Sequence, residues 1–452
     1  MLIKVSIENF KSFDKREELS MISSSKIQAK AEHKVKIKQT NLLKHALIYG
    51  ANASGKSNFV TAIAAIKYIL LEGLPVDLSK DFCRNCAANE NRESVFELQF
   101  TVGESFFAYG FSVIFSQRKI TEEWLYQLLQ DGTARNIFLH EAGKKPVLNA
   151  GLVLTDIEKN RFSVYAEDFA EQNTRLFLAE MSKGKKYGEN SHLNVFPLVF
   201  KWILNNIILI TPNVGISSNE SYNSEESLER ISELLRSFDT GISSLRTKTI
   251  AVEEMKKSLP AEVTEKIFAD IKKKFHSSNN LSNVHILWRT NEGFYNINVK
   301  ENSEPEITTL VLEHGKSEFE FEFGEESDGT KRLIDLVDML ITKRDDTVFI
   351  IDELERSLHP KLTERFLKLF VDAHANERMQ LLFTTHESAI MDQDLFRRDE
   401  IWFVERDASG ASSIYSLDRF KERYDRKLSK AYLEGRYGAI PVFKHFSFER
   451  EE

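Results

Sequence analysis

Cysteine is almost missing from this chain, with two among 452 residues, and that excludes a disulfide framework. Long apolar runs are missing as well, since no stretch reaches the ~18–20 uninterrupted residues that a membrane helix requires. The most apolar segment, 198–210, is broken by Lys201, Asn205 and Asn206 and is expected to lie buried in protein. The opening residues alternate charged and apolar side chains, which is unlike a signal peptide. No excess of positive charge is present either: 61 Lys and Arg face 69 Asp and Glu, for a formal net charge of −8. Phosphate neutralisation supplies most nucleic-acid affinity, so any such contact must come from a local patch. The basic stretch 419–436 is interleaved with Asp418, Glu422, Asp425 and Glu434 and reads as a solvated surface of mixed charge. There is no internal repeat, low-complexity tract or long heptad array. The expectation is a soluble, cytoplasmic protein without membrane association. Its 42% hydrophobic content and 33 phenylalanines suffice for a large core.

What is present has a clear order. Residues 2–13 alternate as a strand, and a second strand over 43–49 leads into Gly50-Ala-Asn-Ala-Ser-Gly-Lys-Ser57. Phe59, Ile63, Ile66 and Leu70 then recur at helical spacing over 56–71. Alternating aromatic strands follow at 95–100, 106–115 and 120–125. From about 155 to 280 the pattern turns helical, with 219–226 read as a loop. Strands resume at 284–289, 295–299, 310–313 and 318–323. The last third reads helix 331–342, strand 348–352, helix 361–376, strand 381–385. The expected division is one nucleotide-binding domain made of 1–150 and 284–452, interrupted by a mostly helical insert, 151–283.

Four segments carry chemistry. Gly50-x4-Gly55-Lys56-Ser57 is a phosphate-binding loop between a strand and a helix, where backbone N–H groups and the helix N-terminus attract phosphate. Lys56 would neutralise the β- and γ-phosphates and Ser57 would offer its hydroxyl to Mg²⁺. The apolar strand 347–351 delivers Asp352 to the metal's water shell and Glu353 to a water beyond the γ-phosphate, a pairing that favours hydrolysis. Leu381-Leu-Phe-Thr-Thr-His386 is another apolar strand with a polar tip, 34 residues after Asp352, so His386 could sense the γ-phosphate. Ser327-Asp-Gly329-Thr-Lys-Arg332 opens a helix, either as a simple N-cap or as a second anion-binding terminus acting on nucleotide held by another subunit. Ser357-Leu-His359-Pro360 fits a turn lining that dimer interface. A glutamine coupling to the phosphates is not readable; Gln99, Gln127 and the 211–213 turn are alternatives. Cys83 and Cys86 form a single Cys-x-x-Cys and read as reduced thiols, and Asp392 and Asp394 as capping acids.

These residues resemble those of the ABC/SMC-type ATPase superfamily. Ile7-Glu-Asn-Phe-Lys-Ser-Phe13 is similar to the opening strand of SMC- and RecF-like ATPases, and Gly50–Asn58 to their phosphate loop. More narrowly, Asp352–Pro360, Phe383–His386, Arg397–Glu405, Ser413–Leu417 and Tyr432–Pro441 resemble the bacterial AAA-like ATPases of the abortive-infection and phage-defence group, with RloA-, AbiLi- and PARIS AriA-like members. The resemblance implies an α/β P-loop NTPase fold of ABC/SMC head type: a mixed sheet, an antiparallel β lobe and a helical insert. It implies ATP and Mg²⁺ as cofactors. Gly50, Asn52, Ser54, Gly55, Lys56, Ser57 and Asn58 would bind ATP, Ser57 and Asp352 would hold the metal, and Glu353, His386 and Lys56 would be catalytic. Ser327 and Gly329 would contact nucleotide in trans, although Ser-Asp-Gly-Thr departs from the Ser-Gly-Gly-Gln of transporter cassettes. The implied partners are a second copy in an ATP-sandwich dimer and an effector nuclease or toxin from a neighbouring gene; nucleic acid is compatible but not required. Two other functions compete: an SMC/RecF-like DNA-maintenance ATPase, and a nucleotide-locked scaffold that barely turns over.

Overall fold

Five consecutive buried residues, His45–Tyr49, form the strand that runs into Gly50. Burial on both faces is the mark of a strand inside a covered parallel sheet. In the computed structural model this strand pairs in parallel with Gln380–Thr385 on one side and with Ile401–Arg406 on the other. Gln380–Thr385 pairs in turn, again in parallel, with Val348–Ile351. Ser412–Ser416 closes that side as an antiparallel partner of Ile401–Arg406. Three parallel strands therefore present Gly50, Asp352 and His386 at their carboxyl ends, the edge where ligands bind in open α/β sheets. The structure describes every residue except 130, 149–151, 153, 213–221, 223, 260, 262–263, 266–267, 270–282, 290–292, 301–302, 421–426 and 442–452.

The chain divides into two compact units. The first comprises 1–208, 346–352 and 376–452, and the second 209–345 and 353–375. Besides the parallel strands, the first unit holds a seven-stranded antiparallel sheet, whose order runs Val147–Leu148, Ala134–Glu141, Lys119–Leu128, Ser105–Ile114, Ser94–Val102, Leu2–Glu8, Glu17–Ser20. The buried amide of Gln380 joins the two sheets. It accepts from Leu2 N at 2.7 Å and donates to the carbonyls of Leu2 at 3.0 Å and Leu43 at 2.9 Å.

The compact units do not follow the expected boundary at 150/151, and aromatic packing is the reason. Helices Asp156–Phe169, Phe177–Glu180 and Val195–Asn206 set their rings against the antiparallel sheet. Phe138 meets Phe177 and Phe196 at 5.5 Å each, and Trp202 stacks on Phe100 at 4.3 Å. Fully burying one such ring contributes about 1.5–3 kcal/mol, so residues 151–208 belong with the first unit. Glu123 adds a polar anchor, since its fully buried carboxylate accepts from Tyr109 Oη at 2.9 Å and Leu178 N at 3.0 Å. Burial pushes its carboxyl up to about 7 against the lowering effect of these bonds.

The strand Ile242–Ile250 of the second unit falls within the stretch expected to be mostly helical. It pairs antiparallel with Glu306–His314, which pairs with Phe294–Lys300 and Glu320–Glu322. A core of Met255, Leu259, Tyr295, Ile297, Val299 and Ile307 forms beside that sheet. Arg246, Thr247, Lys248 and Thr249 are all exposed, on both faces of the strand, and such a polar run hides strand periodicity. Of the expected loop 219–226, the part from Glu225 opens the helix Glu225–Ser237, capped by Ser224; residues 219–221 and 223 lie outside the described residues. The Phe59, Ile63, Ile66 and Leu70 stripe is buried on the helix Lys56–Glu72. Among the described residues no helix is long and apolar enough to cross a membrane.

Candidate nucleotide site

The loop from Gly50 to Ser57 is held from three directions. A Cβ at Gly50 would strike the Val404 carbonyl and come within 2.5 Å of Ser54 Oγ. Gly55 has φ +114°, and a Cβ there would lie 2.5 Å from Ser412 Oγ and 2.7 Å from Ser12 Oγ. Both glycines are therefore demanded by close approach, and Gly55 also by its backbone. Ser412 Oγ donates to the Ser54 carbonyl at 2.5 Å, and Ser412 N to the Ser12 carbonyl at 2.7 Å. Asn58 Nδ2 donates to Ser12 Oγ at 2.8 Å. The Phe-Lys-Ser-Phe segment and the strand Ser412–Ser416 thus brace a loop that neither could locate alone.

Lys56 is buried at the first turn of its helix, with Nζ donating to the carbonyls of Gly50 at 2.7 Å and Ala51 at 3.0 Å. The same nitrogen lies 3.4 Å from His386 Nδ1. Ser57 Oγ donates to Asp352 Oδ1 at 3.2 Å, and Thr384 Oγ1 donates to that oxygen at 2.7 Å. Ammonium, imidazole, hydroxyl and carboxylate from three separate segments therefore meet beside one loop. Ser54 is buried, whereas Asn52, Ser57 and His386 are exposed. A hydroxyl beside a buried carboxylate oxygen is a hard-oxygen pair of the kind Mg²⁺ prefers, so Ser57 and Asp352 fit the metal role expected of them.

Other expected residues lie in the second unit. Glu353 begins its final segment with φ +51°, a left-handed conformation uncommon for a glutamate. Its carbonyl accepts from Arg332 Nη2 at 3.1 Å. Ser327 is the N-cap of the helix Asp328–Ile341, its Oγ accepting from Thr330 N at 3.1 Å. A Cβ on Gly329 would lie 2.6 Å from the Ser357 carbonyl, so local packing explains that glycine. His359 caps the helix Pro360–Ala373 by accepting from Lys361 N at 3.2 Å.

The remaining candidates have plain local roles. Gln99 lies on the antiparallel sheet and donates to Glu97 at 3.0 Å. Gln127 is on the neighbouring strand Lys119–Leu128, and Asn213 lies outside the described residues. Cys83 is buried, Cys86 is exposed and both are free; burial pushes the Cys83 thiol up. Asp392 accepts from Asp394 N at 2.9 Å, a turn cap. Of the mixed-charge stretch 419–436, Glu422 and Asp425 lie outside the described residues. The contributions of Ser12, Thr384 and Ser412 were not foreseen. Of these only Thr384 had a signal, as the hydroxyl two residues before His386 on an otherwise apolar strand.

The family model described as "AAA domain, putative AbiEii toxin, Type IV TA system" matches residues 204–392. That span holds Ser327, Gly329, Asp352, Glu353 and His386 but not the phosphate loop. No curated protein matches the chain. Among solved structures, an SMC head bound to the C-terminal winged-helix domain of ScpA aligns at 15% identity and TM-score 0.41, covering 96% of this chain and 99% of that one. An SMC head domain from Thermotoga maritima aligns at 14% and 0.32, covering 92% and 98%. An Smc head domain with an extended coiled coil, bound to the C-terminal domain of ScpA derived from Pyrococcus furiosus, aligns at 14% and 0.35, covering 96% and 98%. By its own topology the chain is an α/β protein with a parallel sheet beside an antiparallel one. The phosphate-loop strand is central, the strand ending in His386 separates it from the one ending at Asp352, and an antiparallel lobe accompanies the sheet.

Proposed function

We propose that this chain binds ATP with Mg²⁺, hydrolyses it, and serves as the ATPase subunit of a bacterial abortive-infection system. In this reading it forms a dimer on ATP and controls an effector nuclease or toxin from a neighbouring gene. The observation that carries the ATPase reading is the convergence of Ser57 on Asp352 and of Lys56 on His386 beside the loop Gly50–Ser57. The defence reading rests on the resemblance of the Asp352–Pro360 and Phe383–His386 segments. The match over 204–392 to a family described with a putative toxin and a toxin–antitoxin system supports it.

The residues would act as follows. Lys56 exchanges its bonds to the Gly50 and Ala51 carbonyls for bonds to phosphate oxygens, while loop N–H groups and the helix N-terminus meet the remaining charge. Ser57 and Asp352 would hold Mg²⁺ and its water shell, and the ion supplies neutralisation of the charge shared by the β- and γ-phosphates. Glu353 orients water for in-line attack and takes its proton. His386 donates to a γ-phosphate oxygen and so reports its presence. Ser327 and Gly329 would meet nucleotide bound by the partner copy.

Turnover measured by phosphate release, with Glu353→Gln beside the native chain, tests the enzyme. The variant should bind ATP, accumulate as an ATP-bound dimer and stop releasing phosphate; normal release from it would refute the assignment of the base. Co-purification with the neighbouring gene product, with and without ATP, and phage plating on cells carrying both genes test the defence role. Turnover raised by duplex DNA, with unaltered phage plating, would favour the DNA-maintenance reading instead.

A further inference from the structure

A second cluster of chemistry-bearing side chains lies at the other end of the phosphate-loop strand. His45 opens that strand, His33 ends the turn Ala31–His33, and Glu400 ends the turn Arg398–Glu400 that leads into Ile401–Arg406. Their exposures are 2%, 2% and 0%. His33 Nδ1 lies 2.9 Å from Glu400 Oε2 and 3.0 Å from Oε1, and His45 Nδ1 lies 2.9 Å from Oε1. The two rings meet edge to face at 4.7 Å. The surrounding shell is hydrogen-bonded: Lys44 N donates to the His33 carbonyl at 2.9 Å, and Arg397 N donates to Glu400 Oε2 at 2.7 Å. The Arg397 guanidinium is engaged with Asp399 at 2.9 and 2.8 Å.

We propose that His33, His45 and Glu400 form a structural site for a divalent metal ion of the zinc class. Two imidazole nitrogens and a carboxylate are a borderline donor set that suits Zn²⁺ better than Mg²⁺ or Ca²⁺. All candidate ligand atoms lie within 4.8 Å of one another. Tetrahedral zinc, at about 2.0–2.1 Å from each donor, separates its ligands by roughly 3.3 Å, so the cluster needs to open by only a few tenths of an ångström. Each residue offers one donor, and Glu400 Oε2 keeps its bond from Arg397 N, so three protein donors would hold the ion and a water would complete the tetrahedron. With Arg397 engaged by Asp399, a dication also offsets a carboxylate that is otherwise costly to bury. In the loaded site each Nδ1 lone pair faces the ion and the ring proton resides on Nε2. The ion would tie the start of the phosphate-loop strand to the turns preceding Lys34–Ile37 and Ile401–Arg406.

Metal content of the purified full-length chain, produced in zinc-supplemented medium, decides the matter without any variant. About one zinc per chain is expected. Stripping it with a cell-permeant zinc chelator should lower Tm by several degrees, and added Zn²⁺ should restore it. Co²⁺ added to the stripped chain should give the visible absorption of a tetrahedral site. His45→Gln and Glu400→Gln should each lose the metal, whereas Lys56→Ala should keep it. Native protein with less than ~0.1 zinc per chain, no cobalt absorption and a Tm indifferent to chelator would overturn the proposal and leave a hydrogen-bonded triad. Loss of zinc in Lys56→Ala would overturn it as well, by placing the ion at the nucleotide loop.

Discussion

Two glycine-bearing helix starts were expected to handle phosphate, and they are built differently. At Gly50–Ser57 the polar groups reach outside their own segment. Ser57 meets Asp352 from a strand nearly 300 positions on in the sequence, Lys56 lies beside His386, and Gly55 is shaped by Ser12 and Ser412. At Ser327–Arg332 the described bonds of the serine stay within the turn, where its oxygen caps Thr330, and the glycine is accounted for by the Ser357 carbonyl. A binding loop draws partners from across the sheet, whereas a cap is complete locally. The second segment can therefore be a sound helix start whether or not it also meets nucleotide in trans.

That contrast can be broken by mutation. The largest effect is expected from Glu353→Gln, which should cut phosphate release by about 10²–10⁴-fold, the usual worth of a general base, with ATP affinity retained in a filter-binding or calorimetric measurement. Lys56→Ala removes charge-assisted bonds worth about 1.5–3 kcal/mol each, so ATP affinity should fall at least ~10-fold while Tm without nucleotide changes far less. Gly329→Ala should cost about 1–3 kcal/mol by crowding Ser357, read as a lower Tm with or without ATP. Ser327→Ala should be mildest, at about 1 kcal/mol for a lost cap. If Ser327→Ala abolishes the ATP-dependent dimer in sedimentation while Tm barely moves, the segment does more than cap. A dimer that survives leaves it a cap alone.

The glycine spacing of the phosphate loop, the apolar strand ending in Asp352-Glu353 and the strand ending in His386 were legible because each is a local pattern. A buried parallel strand must be apolar along its length and can turn polar only at its tip. Ser12 and Ser412 were illegible for the opposite reason: a serine packed on a glycine leaves no periodic trace, and the two that meet at Gly55 stand 400 positions apart. The strand Ile242–Ile250 was missed because solvent-facing Arg246, Lys248 and Thr249 interrupt its alternation. Charge and helical periodicity set helices 156–206 apart as an insert in the sequence, yet Phe177 and Phe196 bury themselves against Phe138, with Phe162 packed on both. Hydrophobic contact is non-directional, so sequence pattern could announce those rings as core without saying against which sheet.

By itself, then, the sequence determined the strand-loop-helix element on which the phosphate-binding proposal rests, because that element is encoded within a few consecutive residues. Only the tertiary structure decided which distant side chains complete that loop, where the compact units divide, and that His33, His45 and Glu400 meet. Those outcomes depend on strand order and ring packing, which bring together residues whose separation along the chain carries no information about their separation in space.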